Sequence, residues 1–108
     1  MIITSGKNVY PHEVELALAS IPGVETAVAA GMPDDMRGSR IVAGIVPSCG
    51  GLTATWLSSG LDEVMTRDRK PLRYYLLDEL PLTDRGKISR RMFLDWIGNG
   101  DPRIRPLP

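Results

Sequence analysis

The chain has 108 residues, 43% hydrophobic and 24% charged, the proportions of an ordinary globular domain with one core, which excludes wholesale disorder and a fibrous architecture. Thirteen basic and thirteen acidic side chains cancel, without the excess of a nucleic-acid binder, and no apolar run approaches the roughly 18 residues of a membrane span. A single cysteine, Cys49, and a single histidine, His12, exclude an internal disulfide and a thiolate metal cluster, and the N-terminus carries no secretory signal, so a cytoplasmic location is expected.

Residues 1–10 read as a short hairpin: Ile2 and Ile3 are strand-like, Ser5-Gly6 marks the turn and Asn8-Val9-Tyr10 is extended. Pro11 suits a first helical turn, and Val14, Ala17, Leu18 and Ile21 recur at helical spacing until Pro22-Gly23, which predicts a helix over 11–20. Val24 to Gly31 and Ile41 to Val46 are predicted strands, the second apolar enough to be covered on both faces, and the polar stretch 32–40 between them is predicted to be a loop. Thr53 can cap a helix in which Trp56, Leu57, Leu61, Val64 and Met65 recur before Lys70-Pro71 ends it. Arg73 to Asp78 is a third strand, followed by a charged loop through Thr83-Asp84-Arg85-Gly86-Lys87 and a last helix from Ile88 that Gly98-Asn99-Gly100 stops. The fold expected is α+β: a short N-terminal β-hairpin, then a small three-stranded sheet with helices packed on it. Residues 1–97 form the expected domain, and 98–108, with three prolines in its last eight positions, an extended or disordered tail.

Charge is unevenly placed. Residues 67–91 hold eight basic side chains against four acidic ones, so a small anion is a better partner than a nucleic acid. Neither a nucleophile turn nor a GxxxxGK[ST] phosphate loop is present. What stands out is Lys87, an ammonium directly after Gly86 between a strand and a helix. Taken alone it reads either as a solvated turn lysine or as a cation carried into a neighbouring cleft, where it would oppose negative charge developing in a transition state.

Three segments considered together are more specific: SGKNVYPHEVE, PGVETAVAAGMPDDMRGSRIVAGIV and KPLRYYLLDELPLTDRGKISRRMF. In order and spacing they resemble the small C-terminal domain of AMP-forming acyl-CoA synthetases and related adenylate-forming ligases. The pair S-G-x-N-x-Y-P-x-E-V-E and L-P-x-T-x-x-G-K-I-x-R, some seventy positions apart, carries the likeness. In that family a large N-terminal domain binds ATP, with Mg2+, and a carboxylic acid to form an acyl-adenylate; the small domain then rotates and presents another face for thioester formation with coenzyme A. The resemblance implies that Lys87 is the catalytic lysine of adenylation. It also implies that Gly6, flanked by Ser5 and Lys7, borders the path of the pantetheine thiol. Ile3 stands where many relatives have a lysine, which favours an acyl- or aryl-CoA ligase, acting on fatty or aryl acids, over a peptide-synthetase domain.

Arg69, Lys70, Arg90 and Arg91 are candidates for the phosphates of coenzyme A, with solvated surface charge as the alternative. The family's hinge residue would precede Met1, so the resemblance implies that this chain needs the N-terminal adenylate-forming domain and is inactive alone. A protein acetyltransferase acting on Lys87 is a further implied partner. Two other functions stay open: a non-catalytic α+β interaction module, and a separately encoded small subunit acting in trans.

Overall fold

The computed structural model describes residues 2–4, 6–36, 38–66 and 69–107. The elements run β1 (Ile2–Thr4), β2 (Lys7–Val9), α1 (Pro11–Ala19), β3 (Val24–Asp34), β4 (Gly38–Pro47), α2 (Ala54–Leu61), β5 (Arg73–Leu77), α3 (Arg90–Asn99) and β6 (Ile104–Pro106). They form an α+β domain with one mixed sheet of six strands, ordered β2-β1-β4-β5-β6, with β3 also paired to β4. The expected N-terminal hairpin is there, and it joins this sheet where Thr4 opposes Gly38.

The apolar run Ile41-Val42-Ala43-Gly44-Ile45 explains the layering. Its side chains alternate between two faces, and both are covered. Ile41, Ala43 and Ile45 join Ala27, Ala29, Val14, Leu18, Leu57 and Leu61 in a core under α1 and α2. Val42 joins Val28, Ala30, Leu77, Phe93 and Trp96 in a second core under α3. A Cβ on Gly44 would sit 2.7 Å from Leu77 of β5 and 2.8 Å from Phe93 of α3, so any larger residue there would force these core side chains to shift.

Two expectations are corrected. The polar stretch 32–40 is mostly strand: Met32 opposes Arg40, Pro33 opposes Ser39 and Asp34 opposes Gly38. Backbone pairing does not require apolar side chains, and the turn closes when the Asp34 carboxylate accepts from the Met36 amide at 2.9 Å. Pro33 is tolerated because β3 presents this parity of amide to its outer edge, as the Ala29 N–H shows by bonding to Glu15 and not to β4. Helix α2 stops at Leu61, short of Lys70, in bonds from Asp62 to Ser59 and from Val64 to Leu61. Val64 is exposed, so its helical spacing marked no packed face.

The tail is extended but also built into the fold. Gly100 takes the left-handed cap at φ 63°, Asp101 grips the Arg103 guanidinium at 2.8 and 2.9 Å, and that guanidinium lies 4.3 Å above the Trp96 ring. β6 then pairs antiparallel with β5. The Arg103 contact holds the Asp101 carboxyl down to about 2. Because that value lies below the unfolded 3.8, the contact stabilises above that pH and is lost as pH falls through about 2.

Tyr74 is 6% exposed in the first core, and its hydroxyl makes no hydrogen bond of good geometry. Burial pushes the phenol up to about 12 from 10.0, tempered by the Ser58 hydroxyl. The raised value means that this group's stability contribution is intact below pH 10 and is lost as pH rises from there through about 12. Tyr74→Phe is expected to change neutral-pH stability by less than about 1 kcal/mol and to flatten the alkaline loss, measured by urea unfolding at both pH values. A neutral-pH loss above about 2 kcal/mol would reveal a hydroxyl with a true partner.

Candidate functional site

Lys87 sits at the end of a small hairpin between β5 and α3. Leu82 and Ile88 form an isolated antiparallel bridge, and across it the Thr83 amide donates to the Lys87 carbonyl at 2.7 Å while the Gly86 amide donates to the Thr83 carbonyl at 2.9 Å. These two bonds close a three-residue loop, Asp84-Arg85-Gly86, whose last residue is left-handed. Gly86 has φ +79° with no atom within 4 Å of a would-be Cβ. It is there for its backbone angle and not for space. The Lys87 amide donates to Thr83 Oγ1 at 3.2 Å, and the Ser89 amide donates to the Pro81 carbonyl at 2.8 Å.

The loop is therefore pinned at Pro81, Thr83, Gly86, Lys87 and Ser89. Beyond it, Ser89 caps α3 by accepting from the Met92 amide at 3.1 Å. The Lys87 side chain is exposed, and among the described residues no carboxylate pairs with it. A free ammonium on a fixed stem can be presented to a neighbouring anion without first breaking an ion pair.

Gly6 and Lys7 belong to the β1–β2 hairpin, which meets β4 at Gly38, whereas the Lys87 loop follows β5, which pairs with β4 over Val42–Ile45. Gly6 adopts φ +77° and is exposed. Ser5 lies outside the described residues.

The four candidate cations separate. Arg90 is committed to Glu15, through Nε at 3.1 Å and a terminal nitrogen at 2.6 Å. Lys70 pairs with Asp62. Arg69 and Arg91 are exposed, and among the described residues neither is ion-paired.

The Glu15–Arg90 pair was not anticipated from sequence. Glu15 is 6% exposed, and its second oxygen also accepts from the Ala29 amide at 2.8 Å, so one carboxylate ties α1, the β3 edge and the start of α3. Its i, i+3 spacing to the buried Leu18 was the available signal. An open cleft of about 990 Å³ is lined by Ser58, Asp62, Met65, Lys70, Tyr75 and Leu107 among others; neither Lys87 nor Gly6 borders it. Trp56, on α2, is half exposed and donates its indole N–H to the Pro22 carbonyl at 3.0 Å. Cys49 and His12 are exposed. Among the described residues no group of three His, Cys, Asp or Glu side chains gathers into a metal-ligating set, and no helix is long and apolar enough to cross a membrane.

Comparison with known proteins matches residues 13–87 to a family described as the AMP-binding enzyme C-terminal domain. The chain is 36% identical over 103 residues to 4-chlorobenzoate–CoA ligase of Pseudomonas sp. (strain CBS-3), covering 90% of this chain and 19% of that protein. It is 34% identical over 96 residues to oxalate–CoA ligase of Saccharomyces cerevisiae, covering 88% and 18%. Among solved structures, o-succinylbenzoate CoA synthetase of Bacillus subtilis, bound with a product analogue, superposes with a TM-score of 0.86 at 29% identity over 98% of this chain and 20% of that one. The chain spans about a fifth of the length of the curated relatives it matches.

Proposed function

The chain belongs to the AMP-binding enzyme C-terminal domain family, and from that membership we propose that it is the mobile C-terminal domain of an ATP-dependent, AMP-forming acyl-CoA ligase for fatty or aryl acids. The observation that carries this reading is the exposed Lys87 ammonium on its pinned hairpin, without an ion pair among the described residues. In adenylation a carboxylate oxygen attacks the α-phosphorus of ATP and pyrophosphate leaves. Two anions approach one another in that step, and Lys87 lowers the cost by holding its charge against both and fixing their orientation. No proton transfer is asked of it.

In the second step the thiol of coenzyme A attacks the acyl carbonyl and AMP leaves. We assign the Gly6 hairpin, with Ser5 and Lys7, to the border of the thiol's path. Arg69 and Arg91 are the preferred candidates for the phosphates of coenzyme A, because Arg90 and Lys70 already hold carboxylates. Magnesium accompanying ATP finds no fitting set of ligands among the described residues, and we place it, with ATP and the acid, on the larger N-terminal domain. We place the reaction in the cytoplasm. The exposure of Lys87 also suits a protein acetyltransferase, whose product would cancel the charge that adenylation needs.

The test is a fusion. Residues 1–108 replace the matching last fifth of 4-chlorobenzoate–CoA ligase, and pyrophosphate release is measured with that enzyme's acid. Release well above that of the truncated large domain is expected, while the 108-residue chain alone is expected to show no ATP binding by calorimetry. A folded fusion no faster than the truncated domain, or micromolar ATP affinity of the chain alone, would overturn the reading.

A further inference from the structure

Thr83 makes three hydrogen bonds to the two residues that present the ammonium. Its amide and carbonyl close the turn, as any residue's would, at 2.7 Å to Lys87 and 2.9 Å from Gly86. Its hydroxyl does something no other group does. In a three-residue hairpin loop with a left-handed third position, the amide of the next residue is left without a ladder partner. That amide belongs to Lys87, and Thr83 Oγ1 accepts from it at 3.2 Å.

The backbone of Lys87 is thus held from both sides by one residue. The direction in which its side chain leaves the hairpin follows from that hold. Thr83 is itself exposed and belongs to neither core, so removing the hydroxyl disturbs little else. Its β-branch also restricts χ1, which keeps Oγ1 aimed back at the loop.

We propose that Thr83 is a positioning residue for adenylation: its hydroxyl, by holding the Lys87 amide, sets where the ammonium stands against the reacting carboxylate and phosphate. The proposal rests on the assignment of Lys87 made above. It predicts a dependence of rate on an atom that never meets substrate, since misplacing a catalytic group by about 1 Å costs on the order of 10²-fold.

The experiment compares Thr83→Val, which keeps the shape and removes the acceptor, with Thr83→Ser, which keeps the acceptor. In the 108-residue chain, amide hydrogen exchange at Lys87 is expected to accelerate in Thr83→Val and stay close to the parent in Thr83→Ser, with melting temperatures of both near the parent's. In the fusion, Thr83→Val is expected to slow pyrophosphate release about tenfold or more without slowing thioester formation from a preformed acyl-adenylate. Thr83→Ser is expected to restore most of the rate. Adenylation unchanged in Thr83→Val while Lys87→Ala is slow would overturn the positioning role and leave Lys87 standing. Adenylation unchanged in Lys87→Ala as well would overturn both. Equal slowing of the two half-reactions in Thr83→Val would reduce Thr83 to a structural residue.

Discussion

Replacing Lys87 with alanine in the fusion is expected to slow pyrophosphate release by about 10²- to 10³-fold, the cost of removing one preorganised charge from a developing anion. Conversion of a preformed acyl-adenylate to the thioester is expected to stay within about threefold of the parent, because in that step a thiol attacks a mixed anhydride already formed and no carboxylate has to be brought against a phosphate. The split between half-reactions is what makes the test specific. An unfolded or misdocked variant would lose both, whereas Lys87 is exposed and contributes to neither core, so its loss is expected to move stability by less than about 0.5 kcal/mol. Lys87→Arg is a useful companion: it keeps the charge but presents a planar fork where a point charge stood, and only partial recovery is expected. Equal rates of adenylation in parent and Lys87→Ala would remove the lysine from the mechanism.

The largest expected effect on stability comes from the other end of the same segment. Arg90→Ala is expected to destabilise the chain by about 3 kcal/mol, read from urea unfolding. Glu15 accepts three hydrogen bonds, two from Arg90 and one from the Ala29 amide. Its side chain is only 7% exposed, so losing the guanidinium leaves a carboxylate that water barely reaches. The Arg90 side chain itself is 39% exposed, which places the cost at the lower end of the range for broken buried pairs. Arg90→Lys is expected to recover only part, since a point charge cannot reproduce the two-point grip. A loss below about 1 kcal/mol in Arg90→Ala would mean that the pair behaves as a surface ion pair.

These residues also show what a sequence discloses. Ile41 to Ile45 could be read as a strand covered on both faces because every one of its positions is apolar, and the structure has helices on both sides. The arms of the β3–β4 hairpin could not, because backbone pairing there leaves the polar side chains of Asp34, Ser39 and Arg40 only partly buried. β6 was hidden by prolines. Pro106 sits there without cost to a neighbour on its far side, β6 being the last strand of the order.

At the candidate site, the sequence pointed to Gly86 and Lys87 but not to how the loop is held. The hairpin depends on the Leu82–Ile88 bridge, and the role of the Thr83 hydroxyl follows from the turn that bridge closes. The sequence leaves Arg90 as either a phosphate ligand or a solvated charge, because its carboxylate partner stands 75 positions earlier. Only the packing of α1 and α3 about β3 brings that carboxylate to it.

The hold of Glu15 on the Ala29 amide has a consequence for solubility. β3 is eleven residues long and pairs on one side only. A long strand with a bare edge is a template on which a second copy of the same chain can add, strand to strand, and start an aggregate. Here the middle of that edge is closed by a carboxylate that takes up an amide, and further along Pro33 offers no amide at all. With Glu15 and Pro33 on it, the β3 edge offers a second copy of the chain little to join.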